Sequence, residues 1–194
     1  MENKNYSKVY RIMHWSIAIC TTLLLFTIFL RMTWLNKDHV ADIIQSYLAD
    51  KNTSLSRDEL IVLAKQIRKP MWVWHIYLGY VLSGLFFIRL ILPFFGEMKF
   101  ANPFQSNVSA KVKFQYWVYL IFTVCFTFSL ITGLLIEFGP KSIKHDVEEL
   151  HELSIYYLLA FLVLHLGGVF LAELTSQKGI ISRIISGVKS KGDQ

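Results

Sequence analysis

Six histidines occur in the 194 residues, and four of them lie within or at the ends of long apolar runs. His151 and His165 are 14 residues apart in one of these, HELSIYYLLAFLVLHL. On a single α-helix that spacing gives about 21 Å of rise and falls roughly 40° short of four turns. The two imidazoles then leave one side of one helix, near opposite faces of a bilayer. An ionisable side chain inside lipid is costly and marks a functional position. Two metal centres stacked across a membrane would use this spacing, each taking a second ligand from another helix. His14 and His75 are the candidates for those second ligands.

The elements that must position them follow from hydropathy. The chain is 54% hydrophobic and only 18% charged, and the charges cluster between apolar runs; a soluble domain of this length would be less apolar. Ile12–Leu30 is 19 residues without a charge, enough to cross a bilayer. It is long for a signal peptide, and LRMTWLN after it offers no small-x-small cleavage site. The spans are expected at about 9–30, 71–95, 112–136 and 147–172, all within one membrane domain, 1–194. His14 starts span one on the side of the termini. His75 starts span two, and His151 starts span four, both on the opposite side. His165 returns to the termini side. Alternation alone makes His14 level with His165, and His75 level with His151.

The segment 31–69 is the one long polar stretch. Val40, Ile43, Ile44, Tyr47 and Leu48 recur at helical spacing. Ser56 and Glu59 form a capping-box pattern before Leu60, Ile61, Leu63, Ala64 and Ile67. Two short amphipathic helices are expected, lying in the lipid interface or over one end of the bundle, with Pro70 in the first turn of span two. The linker 96–113 reads as loop. The tail 176–191 reads as an amphipathic helix, with Ile180, Ile181, Ile184, Ile185 and Val188 on one face. Lys178, Arg183, Lys189 and Lys191 lie on the other, as suits an anionic interface. The fold expected is all-α and integral to the membrane, a four-transmembrane-helix bundle with these accessory helices. Eleven basic residues fall on the termini side and nine on the other, which favours cytoplasmic termini.

A lone histidine on an apolar helix is more often a packed, hydrogen-bonded residue than a ligand. Four of them, paired in depth, shift that balance. Zinc normally takes four ligands, and each level offers two imidazoles with no acid nearby in the membrane. Two trans imidazoles are the axial set of a b-type haem. Gly79, Gly84, Gly133, Gly167 and Gly168 leave room for a wide ring, and Thr132-Gly133 would let a helix or a ring approach closely. Haem propionates want a cation at the membrane edge. Arg11, one turn before His14, and Arg89, 14 residues after His75, are candidates, although snorkelling or topology explains both equally well. His39 and His145 sit in polar runs and read as solvated. Cys20 and Cys125 lie in apolar runs and read as small hydrophobes. Without CxxCH, covalent c-type haem is excluded. The formal charge of +6 does not imply nucleic acid, because the basic residues flank apolar spans.

YRIMHW in span one, HIYLGYVLSGLFFIRL in span two and HELSIYYLLAFLVLHL in span four resemble the bacterial cytochrome b561 family. That family includes the b-type cytochrome subunits of membrane nickel–iron hydrogenases and related formate dehydrogenase subunits. The resemblance covers all four spans and implies haem ligation by His14, His75, His151 and His165. It also implies electron exchange with the quinone pool in a bacterial inner membrane. The insert 31–69 is longer than in compact relatives. The expectation is a protein holding two b haems that carries electrons across the bilayer between a redox partner and quinone, the partner docking on the insert side. Two alternatives stand beside it: a stand-alone superoxide:quinone oxidoreductase, and a membrane transporter or anchor whose histidines bind metal or protons. The transporter would want broken, Gly/Pro-interrupted helices, which these spans lack.

Overall fold

The computed structural model describes residues 6–100, 102–175 and 177–187. Lys4, Val188, Lys189 and Lys191, and Ser176 at the start of the expected tail helix, lie outside the described residues. The helices are α1 (Lys8–Met32), α2 (Lys37–Ala49), α3 (Arg57–Ile67), α4 (Lys69–Ile91), α5 (Ala110–Phe138), α6 (Lys144–Glu152), α7 (Ser154–Leu174) and α8 (Ile180–Ile185). Tight 3₁₀ turns occupy Leu92–Phe95 and Lys141–Ile143. Among the described residues there is no strand. Four stretches are long and apolar enough to cross a membrane: Lys8–Met32, Lys69–Phe95, Ala110–Phe138 and Lys141–Leu174. They coincide with the four spans expected from hydropathy. Their outer surfaces are apolar; Val163 is 72% exposed and Phe170 62%. Lipid is the solvent that suits such surfaces, because each helix satisfies its own backbone hydrogen bonds.

The chain divides into two compact units. One is Ile17–Gly84, and the other gathers the residues up to Ser16 with those from Leu85 onward.

In the first unit, α2 and α3 form a hairpin with its own small core. Asn36 caps α2 by accepting the backbone N–H of Asp38 at 2.9 Å. Ser56 and Glu59 complete the expected capping box: the Glu59 carboxylate accepts the Ser56 N–H at 2.8 Å. Val40, Ala41, Leu60 and Ala64 are buried together, with Ile44, Leu48 and Ile61 packed around them. Ala41 and Ala64 are fully buried, and small side chains there let the two helices approach. Arg57 closes the hairpin by ion pairs to Asp38 at 3.3 Å and Asp42 at 2.5 Å. Its hydrogen bond to Asp42 raises the guanidinium pKa further above its ordinary value. The pairs are exposed and contribute little to stability. The two apolar faces read from the sequence are therefore split. One half of each builds this core, and Ile43, Tyr47, Leu63 and Ile67 remain exposed.

In the second unit, α5 packs against α6 and α7. Phe122 stacks on Phe161 with ring centres 3.6 Å apart, and Phe126 meets Phe86 at 4.9 Å. The stretch His151–His165 is not one uninterrupted helix. It breaks at Leu153, between α6 and α7, where the Tyr156 N–H bonds to the Leu153 carbonyl at 3.2 Å. That three-residue bond tightens the turn locally. The tail also differs from expectation. Its helix α8 has six residues, and Arg183 is buried, donating to the Lys178 carbonyl at 3.0 Å. The end of α8 is held by Trp15, whose Nε1 donates to the Ile184 carbonyl, and by Arg11, whose Nη1 donates to the Ile185 carbonyl, each at 3.1 Å. An amphipathic pattern puts arginine on the solvated face; the docked tail turns it inward and satisfies it with backbone oxygen.

Candidate functional site

His14 comes from the second turn of α1, and His165 from the middle of α7. Their ring centres are 6.1 Å apart, with the planes 48° apart. A metal–imidazole bond of about 2 Å, plus about 1 Å from nitrogen to ring centre, puts two axial rings roughly 6 Å apart. The separation therefore suits one metal ion between the two rings. Tyr10 stacks beside His14 with ring centres 6.4 Å apart, and Trp15 meets it edge-on at 5.6 Å. Phe161 stacks beside His165 at 5.4 Å, and the Tyr119 hydroxyl lies 3.4 Å from its Nδ1. Flat aromatic surroundings of this kind suit a flat ring.

The two arginines lie in the same unit as this pair. The Arg89 guanidinium sits over the Phe100 ring at 4.7 Å. Three buried polar side-chain atoms lack a hydrogen-bond partner among the described residues: Arg11 Nε, Arg89 Nη1 and Thr21 Oγ1. A buried unsatisfied guanidinium nitrogen is costly, and an anionic group is its natural partner. Two such nitrogens on the two arginines singled out for propionates fit that group.

His75 lies in the second turn of α4. Its Nδ1 is 2.6 Å from the Thr27 hydroxyl on α1, and Trp72 meets its ring edge-on at 5.3 Å. His151 lies near the end of α6. Its Nδ1 is 3.0 Å from the Thr132 hydroxyl on α5. A Cβ built on Gly133 would fall 3.1 Å from Cε1 of the same ring. Thr132-Gly133 thus admits a ring, as the sequence suggested, and the ring is that of His151. At Gly79, Gly84, Gly167 and Gly168 an added Cβ would meet nothing within 4 Å, so open space flanks these four. His39 is exposed, and His145 is exposed beside Glu149 at 3.5 Å.

Thr27 and Tyr119 were not among the residues read from the sequence, and Thr132 was read only as allowing close approach beside Gly133, not as a hydroxyl partner of His151. Their only signal was a hydroxyl inside an apolar span, and threonine is common there because it bonds back to its own helix. Among the described residues no group of three or more His, Cys, Asp or Glu could hold a metal ion. Any metal at these imidazoles takes its remaining ligands from elsewhere, as a porphyrin iron does.

The family described as prokaryotic cytochrome b561 matches residues 5–187, nearly the whole chain. No curated protein and no solved structure is matched by the chain.

Proposed function

The chain belongs to the prokaryotic cytochrome b561 family, a membrane b-type cytochrome of electron transfer, and from that premise we propose that it holds two b haems and passes electrons through them to or from quinone. The observation that carries the reading is the 6.1 Å separation of the His14 and His165 rings. Those two imidazoles would hold the iron of the termini-side haem, with Arg11 and Arg89 toward its propionates. His75 and His151 would hold the second, a pairing that rests on the alternation of the spans. When bound, each haem supplies a one-electron iron couple. The protein's own part is to fix the imidazoles, exclude water and set the potentials. With two imidazoles of this chain holding each iron, the reading would be of electron carriage and not of oxygen binding at iron.

A redox protein would exchange electrons on the side of the 31–69 insert, and the exposed Ile43, Tyr47, Leu63 and Ile67 of the hairpin give that partner an apolar surface. The termini would lie in the cytoplasm of a bacterium, since the basic residues are more numerous on their side. A pyridine haemochrome assay on the purified chain tests the reading. Two b haems per chain are expected; one or none would sink it.

A further inference from the structure

Four buried polar or charged side chains stand out among the described residues: Thr27, Ser129, Thr132 and Arg183. Three of them belong to two hydrogen-bond chains that end on histidines. The Thr27 hydroxyl lies 2.6 Å from the Leu24 carbonyl and 2.6 Å from His75 Nδ1. The Thr132 hydroxyl lies 2.9 Å from the Ser129 carbonyl and 3.0 Å from His151 Nδ1. Ser129 is itself held, its hydroxyl accepting from Tyr157 at 2.8 Å.

A hydroxyl has one hydrogen, and a carbonyl oxygen can only accept. If that hydrogen pointed at the imidazole, two oxygens would face each other with no proton between them, at 2.6 Å for Thr27 and 2.9 Å for Thr132. The hydrogen therefore goes to the carbonyl, and a hydroxyl lone pair faces Nδ1. Nδ1 must then carry the imidazole proton, which leaves the Nε2 lone pair bare. We propose that Thr27 and Thr132 are positioning residues: each threonine locks its histidine in the Nδ1–H tautomer and aims a bare Nε2 at the metal.

The same device appears twice, on two different spans, and both times on a histidine assigned to the level opposite the termini. The other level is built differently. His165 has a phenol at the longer distance of 3.4 Å, and His14 has ring contacts without a hydrogen bond among the described residues. An Nδ1–H that donates to a fixed acceptor makes the imidazole a stronger donor to metal, and losing such a partner typically costs 10- to 100-fold in metal affinity or activity. A stronger donor favours the ferric state, so the relays lower the potential of the haem they serve.

The proposal rests on the ligand reading above, and its test separates the two. The full-length chain is made as Thr27→Val, Thr27→Ser, Thr132→Val and Thr132→Ser, beside His75→Ala and His151→Ala. In ¹⁵N-histidine-labelled protein from haem-starved cells, the nitrogen shifts read the tautomer without any haem. The parent chain should show Nδ1–H for His75 and His151. The matching valine variant should lose that preference at one histidine, and serine should restore it. In the haem-loaded chain, each valine variant should raise the midpoint potential of one spectral component. A tenfold loss of preference for ferric iron corresponds to about 59 mV, and serine should return the potential toward the parent value. Unchanged tautomers, or equal shifts for valine and serine, would overturn the relay. If His75→Ala and His151→Ala left the haem count unchanged, the ligand reading would fall instead, whatever the tautomers showed.

Discussion

Gly133 and His151 meet so closely that even a Cβ on Gly133 would lie 3.1 Å from Cε1 of the imidazole. Glycine here costs α5 about 1 kcal/mol of helix propensity relative to alanine. Gly133→Ala should therefore strengthen the helix while pushing the ring by a few tenths of an ångström. Gly133→Val should displace it outright. The expected result is two haems with one perturbed spectral component for alanine, and loss of that component alone for valine. Reduced-minus-oxidised spectra read both. Retention of an unperturbed component by the valine variant would show that the contact is not needed for ligation.

The depth pairing makes a prediction about which histidines fail together. His14→Ala and His165→Ala should remove the same haem, and His75→Ala and His151→Ala the other. Each single variant should keep about half of the parent haem content by haemochrome assay. Loss of one common component by His14→Ala and His75→Ala would refute the pairing.

Arg89 carries a buried nitrogen without a hydrogen-bond partner among the described residues and lies in one unit with the His14/His165 pair. A nearby cation stabilises the added electron of a reduced haem through a medium of low dielectric constant. Arg89→Gln should lower the potential of the termini-side haem by some tens of millivolts and leave the other unchanged. Potentiometric titration followed in the Soret band would test this. Equal shifts of both haems would count against a local role.

The hairpin of α2 and α3 has its own core, so it should be separable from the spans. Replacing 37–67 by a short linker should leave both haems bound. Quinone-linked reduction through the native partner should fail, while reduction by a small artificial donor persists. Partner-driven transfer in the trimmed chain would remove the docking role and favour a stand-alone enzyme.

The capping box of α3 gives a prediction in pH. Hydrogen bonds from the Ser56 hydroxyl and backbone N–H hold the Glu59 carboxyl below the ordinary carboxylate value. A depressed folded pKa stabilises above the unfolded value, about 4.3, and that stabilisation is lost as pH falls through the lower folded value. Ser56→Ala should speed amide exchange in the first turn of α3 at neutral pH, and the difference from the parent should shrink in acid. A difference that stayed constant with pH would argue against the carboxylate's part in the cap.

The four spans, the α3 cap and the approach of His14 to His165 were legible in the sequence, because each follows from local rules and the alternation of the spans. An apolar run of bilayer length, Ser56 three residues before Glu59, and a fixed rise per residue need no knowledge of what lies across the molecule. The hydroxyl partners were not legible, since Thr27 is 48 residues from His75 and Thr132 is 19 from His151; only packing brings a hydroxyl to a ring at such separations. Nor did any proline or glycine mark the break at Leu153. Arg183 reads as a solvated cation from its helical position, yet it is buried in a tail that Trp15 and Arg11, some 170 residues earlier, hold by the Ile184 and Ile185 carbonyls. Periodicity states which residues share a face. What covers that face is decided by contacts between residues far apart in the chain, and these exist only once the helices have packed.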